Sequence, residues 1–577
     1  MQTAHIASPR LWDRSTRRAI WHSAWRLSFL IFAWGLVLQR FWALPVVAAG
    51  SCERELPEDA DPPEVAVGER LFLETRFAQF FFVHSQGDAN AVLPVGDPVM
   101  DTTPTLGDPL PGPFAGQSMN CRNCHFVDEH ATTLGGGVRT YADFARRSPV
   151  PQREDGKATT PRNSPPLVNA SLARKGGVLF HFDAEFASLK DLIKATYTGR
   201  NFGWLPGEEQ QAVAHIAHVI RNDDGAGALA QQAGGAYAKV LKGIDSTIPP
   251  EFCLPSSFRR VDFDRASDEE IFDTVAELVA AYVRSLTFTR DEERVFIASP
   301  YDVFLTKNNL PQKPEDETAL AYSRRLRALI ENLRDPQFVT SADGTLQLHA
   351  QDFVFGPEEL TGFQLFFAEP DHPATSGGVG NCVACHMAPN FSDFAFHNTG
   401  ATQEEYDATH GQGAFVALAI PDLKTRKADY NAFLPPTPAH PQASGRFFSP
   451  VFADRPELTD LGLWNIFANP DHPTPQGKIK QVLFRLHGRL PARKLLPKTI
   501  GVFKTPGLRD LGQSAPYLHT GGKDTLSDII RFYINVAELA RAGGMRNPDP
   551  EIGRIRLAPT DIAPLQAFLR ALNEDYQ

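Results

Sequence analysis

Apolar positions recur at helical spacing in a few stretches, separated by long polar segments rich in proline and glycine. From Val65, the run Val67-Gly68-Glu69-Arg70-Leu71-Phe72 opens an amphipathic helix directed towards Phe82. Short helical periodicity follows over Thr140 to Arg147, Asp183 to Tyr197 and Glu208 to Arg221, with loops over Pro94 to Gly116 and Pro149 to Pro166. Ser267-Asp268-Glu269-Glu270 has the form of a capping box and starts a helix through Leu286. Later, Pro357 to Phe367 and Thr560 to Leu572 repeat the pattern of an opening and a closing helix around long loops, so the chain reads as an internal duplication. The predicted fold is mainly α, with two similar units in tandem. Residues 1–49 form a leader, 50–64 an acidic, proline-rich tether, 65–288 the N-terminal unit and 356–577 the C-terminal unit. Residues 289–355 read as a linker or insertion with one charged helix from Glu315 to Leu333.

A chain of 577 residues exceeds what one hydrophobic core usually organises, which agrees with two units. The net charge of −11 argues against a nucleic-acid partner. At the start, Arg10, Arg14, Arg17, Arg18 and Arg26 precede the apolar stretch Leu27 to Leu38, and small residues follow at Val47-Ala48-Ala49. This is the pattern of a removable signal peptide, and it predicts export to the periplasm. Gln39 and Arg40 interrupt the apolar run, so membrane contact is expected only through an uncleaved or lipidated N-terminus.

Four of the six cysteines fall in two pentapeptides, Cys121-Arg122-Asn123-Cys124-His125 and Cys382-Val383-Ala384-Cys385-His386. A lone Cys-x-x-Cys is also found in redox dithiols and half zinc sites, but an immediate His is the attachment signature of c-type haem. Zinc needs four ligands at one centre, whereas these sets lie about 260 residues apart and each is complete for haem. Both are predicted to carry covalent haem c, with His125 and His386 as the iron ligands. The remaining Cys52 and Cys253 leave two readings open, a disulfide between them or lipidation of Cys52. His215 and His218 have the spacing of a metal pair, but the Ala, Ile and Val around them favour packing.

Two such units in one exported chain resemble the bacterial di-haem cytochrome c peroxidase superfamily, which includes the enzyme that matures methylamine dehydrogenase. Further stretches carry the likeness: Pro161 to Asn169 after the first haem motif, Ser299-Pro300-Tyr301-Asp302 at the joint, Phe391 to Asn398 after the second motif, and Phe503 to Asp510 followed by Ala515-Pro516-Tyr517-Leu518-His519. The resemblance implies cytochrome c-like haem domains and an oxidoreductase that passes electrons between two haems, reducing peroxide or using it to oxidise a substrate. Its partners would be a small oxidant, peroxide or dioxygen, and an electron-donor protein such as a small cytochrome or cupredoxin. A di-haem oxygenase of the rubber-cleaving type and a plain electron carrier are the alternatives.

The resemblance also assigns residues. Asn163 and the backbone oxygens of Ser514 and Pro516 match the family's calcium site, though all three also suit ordinary turns. The inter-haem Trp of typical members is Phe182 here, leaving Trp204 as a candidate relay or a packing residue. The distal glutamate falls near Phe202, with Glu208 or Glu209 as its candidate replacement. No His occurs between His130 and His181, where typical members supply a releasable ligand to the first iron, so that iron is expected to be open in an apolar pocket. Over the second iron the matching position is Tyr533, with Met545 as the fallback.

Overall fold

The computed structural model describes Cys52, Leu56 and residues 60–103, 110–111, 115–125, 147–174, 176–243, 245–259, 261–347 and 349–575. The signal peptide expected over residues 1–49, His130 and all but Arg147 of the helix expected over 140–147 lie outside them. The described chain is mostly helical. Its named strands are two short antiparallel pairs, Thr102–Thr103 with Leu110–Pro111 and Phe396–His397 with Phe503–Lys504. None of its helices is long and apolar enough to cross a membrane.

Two helix crossings organise the cores. Pro63–Phe72 packs along Asp268–Ser285, and Gly68 sits where a Cβ would overlap the Leu278 carbonyl. Pro357–Phe367 packs along Ile562–Arg570, with Gly362 where a Cβ would overlap the Pro564 carbonyl. Each glycine lets two backbones approach too closely for any side chain, and the same device occurs at both crossings. Gly362→Ala should lower stability by about 2 kcal/mol, since overpacking of about 3 kcal/mol outweighs about 1 kcal/mol of gained helix propensity. Gly68→Ala should behave alike, and urea unfolding of each variant checks both.

The sequence reading needs correction at several boundaries. The first helix stops at Phe72 and a separate short helix, Gln79–His84, carries the chain past Phe82. The segment from Asp183 turns helical only at Leu189, because His181 and Ala184 take left-handed backbone angles of 60° and 64°. Residues 289–355 are not peripheral. Tyr301, Phe304, Tyr322, Leu326 and Ile330, on helices Pro300–Lys307 and Ala319–Glu331, are buried in the second core with Phe363 and Phe568. A third core was not anticipated: Phe396, Tyr406, Phe447, Trp464, Ile479 and Val502 close over Leu179 and Ala184 of the first half.

Cys52 and Cys253 form a disulfide across 201 residues, which decides between the two readings of Cys52. His215 and His218 are packing residues. Their Nε2 atoms bond the carbonyl oxygens of Arg76 at 2.7 Å and Gly87 at 3.0 Å, and burial lowers the His215 pKa to about 4.

Candidate functional site

Each cysteine pentapeptide sits on a single 3-10 turn joined to the helix that opens its core. In the first, Asn120 anchors the turn from both ends: its Oδ1 accepts from Asn123 N at 3.1 Å, and its Nδ2 donates to Leu73 O at 2.9 Å. His125 N then donates to Cys121 O at 3.0 Å, which continues the turn through the imidazole-bearing residue. The second turn repeats this, with His386 N donating to Cys382 O at 2.8 Å. None of these four cysteines is in a disulfide. Burial pushes the thiols of Cys121, Cys124 and Cys382 up to about 12, so the free thiols are neutral.

At the second turn, His386 has Nδ1 within 2.8 Å of the Phe391 carbonyl oxygen, and burial holds its pKa below the ordinary value. A carbonyl can only accept, so Nδ1 carries the proton and Nε2 keeps its lone pair, the tautomer an iron ligand requires. Tyr533, on the helix Leu526–Arg541, is partly buried near the thiols of Cys382 and Cys385; burial and these thiols raise its phenol pKa. Met545 is buried in the same cluster and packs against Gly400, so it backs Tyr533.

The first turn opens on a cavity in which the centres of water-sized molecules can occupy about 180 Å³. Its wall includes Cys121, His125, Phe182 and Tyr197 from the first half and Asn390, Phe394, Lys504 and Arg509 from the second. The wall is mainly apolar and contains no carboxylate. Lys504 N donates to Phe182 O at 2.7 Å, which ties the strand Phe503–Lys504 to the Phe182 loop. Arg509 is held by Asp302 through two contacts of 2.8 and 2.9 Å, so the Ser299–Asp302 joint reaches the cavity.

The structure brings some predicted residues together and separates others. Phe182 lines the cavity beside His125, and lies edge-on to His519 at 6.4 Å. Trp204 does not line it: the indole is fully buried in the first core, donating to Phe77 O at 3.4 Å. Glu208 does not reach it either, because it pairs with Arg153 at 2.9 Å and accepts from Leu205 N at 2.7 Å ahead of its own helix. Asn163 and Pro516 do meet, with Nδ2 donating to the Pro516 carbonyl at 2.7 Å, while Ser514 Oγ donates to Asp510 O.

His181, one of the histidines the sequence left as an alternative occupant of the open pocket, does line the cavity, and its Nδ1 bonds Glu185 at 2.9 Å. Burial alone would raise the Glu185 carboxyl, but His181 outweighs it and holds it down to about 2. His181, Asp183 and Glu185 place three ligand-type atoms within 4.8 Å of one another, yet Asp183 already pairs with Arg162 at 2.7 Å. Arg162 also bonds Asp460, so the two halves share a buried ion network.

A second network flanks the other turn. His397 lies between Asp393 at 2.9 Å and Asp549 at 2.6 Å. Burial opposes the charged form, but the two carboxylates prevail and hold the imidazolium up to about 12. A pKa raised above the unfolded value of about 6.5 contributes stability fully below that pH, and the contribution falls as pH rises towards the folded value. His397→Gln should therefore cost about 3 kcal/mol at pH 6 by leaving two buried carboxylates unmatched. It should also flatten the loss of stability above about pH 6.5, which denaturant unfolding across pH would reveal.

No family model matches the chain. Among curated proteins it is similar to the cytochrome-c peroxidase IdrP1 of Pseudomonas sp. (strain SCT), 35% identical over 78 residues, and to IdrP2 of Denitromonas iodatirespirans, 26% identical over 196 residues. These matches cover 13% and 34% of this chain and 19% and 37% of the relatives' own lengths. Among solved structures, a MauG-like protein associated with microbial copper homeostasis aligns with 94% of this chain and 96% of its own at 16% identity and a TM-score of 0.40. The diheme peroxidase BthA from Burkholderia thailandensis E264 aligns over 89% and 87% at 16% identity and a TM-score of 0.38. Over the matched residues the chain is thus similar to proteins bearing the cytochrome-c peroxidase name, in agreement with the resemblance drawn from its two Cys-x-x-Cys-His sets, and it spans less than two fifths of those relatives' length.

Proposed function

We propose that the chain is an exported oxidoreductase with two cytochrome c-like domains in tandem, each carrying covalent haem c, and that it acts on peroxide at the His125 side. The observation that carries this reading is the cavity itself. It joins Cys121 and His125 to residues that follow the second motif, so a group attached at the first turn is in reach of the second half. When bound, haem supplies the iron at which an oxygen–oxygen bond is cleaved and a store of electrons. His125 and His386 would hold the irons from one side, and Tyr533 the second iron from the other. Phe182, Val283 and Phe288 exclude water, and Phe182 lies between the halves. His181, oriented by Glu185, is the cavity's candidate proton donor in place of the family's glutamate.

Several further supports are separate. The disulfide Cys52–Cys253 suits an oxidising compartment and therefore export. A calcium ion at Asn163, Ser514 and Pro516 would require the Asn163 amide to present its oxygen towards the Pro516 carbonyl, a half-turn that an amide can make. The electron donor is proposed to be a small cytochrome or cupredoxin. A wall without a carboxylate also favours a second reading, a di-haem oxygenase of the rubber-cleaving type, which does not rely on the peroxidase acid.

Anaerobic optical and electron-spin spectra of the ferric holoprotein test the proposal. A high-spin iron that reacts with peroxide is expected. Fully low-spin spectra, unchanged by peroxide or cyanide, would identify an electron carrier instead. His181→Ala should slow the peroxide reaction by about 10²-fold or more while leaving cyanide binding intact.

A further inference from the structure

The cavity wall is electrically lopsided. It carries Arg174, Lys504 and Arg509 and no carboxylate. Arg509 is accounted for by Asp302. Arg174 has no ion pair among the described residues: its Nη2 reaches only Ala170 O, at 3.4 Å, and its guanidinium lies 3.9 Å over the Phe394 ring. Lys504 likewise has no ion pair among them, with Nζ donating to Leu179 O at 3.0 Å. Burying a cation without a paired counter-charge is costly: burial lowers Arg174 to about 10, and burial with the nearby Arg174 charge lowers Lys504 to about 7 against the smaller pull of Asp183, which already pairs with Arg162. Two cations so placed call for two anions inside the cavity.

We propose that Arg174 and Lys504 bind the two propionate carboxylates of the haem attached at Cys121 and Cys124, fixing its propionate edge against Phe394 and so towards the second haem. This rests on the haem reading above and goes beyond it in assigning the orientation of the group. Haem c has two carboxylates and the wall offers two unmatched cations, one from each half of the chain. Charge-assisted hydrogen bonds of this kind are among the stronger polar contacts, and Arg174 can engage a carboxylate with two donors. Phe394 lies in the segment after the second haem motif, where Phe391 O bonds His386, and Lys504 bonds the Phe182 backbone, so residues of both halves would meet at that edge.

The experiment is a redox titration of the holoprotein, following each haem separately by optical and electron-spin signals, after mass spectrometry has counted the haems. Cations that neutralise propionates favour the reduced iron, so Lys504→Met and Arg174→Met should each lower the potential of the His125 haem. The expected change is about tenfold in the reduction equilibrium, or about 59 mV for a one-electron couple. The His386 haem should move less. Lys504→Arg, which keeps the charge, should hold the original potential, and Lys478→Met, which removes a cation bonded to Val178 O and Ala187 O outside the lining, should change nothing. Equal shifts at both haems, no shift at either, or a Lys504→Arg variant that behaves like Lys504→Met would overturn the assignment. If one methionine variant fails to accumulate, the other still tests it, because the cations come from different halves. Absence of haem at Cys121 and Cys124 would instead defeat the underlying reading, and mass alone reports that.

Discussion

Mature protein made in a host that attaches c-type haem should weigh two haems more than its polypeptide. Each Cys-x-x-Cys-His set begins on a 3-10 turn and contains both thiols and the imidazole, so each has the full attachment chemistry. Cys121→Ala with Cys124→Ala should remove one haem and leave the other, and Cys382→Ala with Cys385→Ala should do the converse. His125→Ala and His386→Ala should retain the covalent mass but abolish the corresponding haem's normal spectrum. A chain with one haem or none, from a host proven on another c-type cytochrome, would refute the di-haem assignment.

The second large effect is expected at Tyr533. Its phenol lies near Cys382 and Cys385, whose pentapeptide supplies His386, and a tyrosinate is a hard anionic donor that favours ferric iron. Burial and the neighbouring thiols raise its pKa, so the free phenol stays protonated; ligation therefore requires loss of that proton to the medium or a nearby base. Tyr533→Phe should convert the His386 haem from low-spin to high-spin and raise its potential. Tyr533→Met should restore a low-spin spectrum at still higher potential. An unchanged low-spin spectrum in Tyr533→Phe would transfer the role to Met545, although Met545 packs against Gly400 in this structure.

The features legible in the sequence were those with a local period or fixed spacing. The Pro357–Phe367 helix and the Ser267 capping box declared themselves through three- and four-residue repeats and end signals. The haem turns followed from five adjacent residues. The helix Leu526–Arg541, capped by Thr525 through Asp528 N, was not among the elements expected from the sequence. The third core was illegible for a different reason. Phe396, Tyr406, Phe447 and Trp464 come from short segments punctuated by proline and glycine, and they meet only through the tertiary fold. The cavity's charge was hidden in the same way: Arg174 and Lys504 are 330 positions apart, and a two-residue strand is too short to show which way Lys504 points. His181 could be named from the sequence as a histidine near the first iron, but its bond to Glu185 and its place in the cavity wall follow only from the fold.

The disulfide has a consequence for how the chain matures. Synthesis delivers its thiols in the order Cys52, Cys121, Cys124, Cys253, so the first partner to meet Cys52 is a haem-attachment thiol rather than its native mate. Six thiols allow fifteen complete pairings, and an oxidant that joins neighbours in order of appearance would close the wrong ring and block the first haem. The attachment thiols must therefore be kept reduced until haem captures them, or the ring must be reopened by exchange. Occupation of Cys121 and Cys124 by the proposed haem would remove the nearest wrong partners, so the first cofactor would also act as a protecting group for the bond that encloses it.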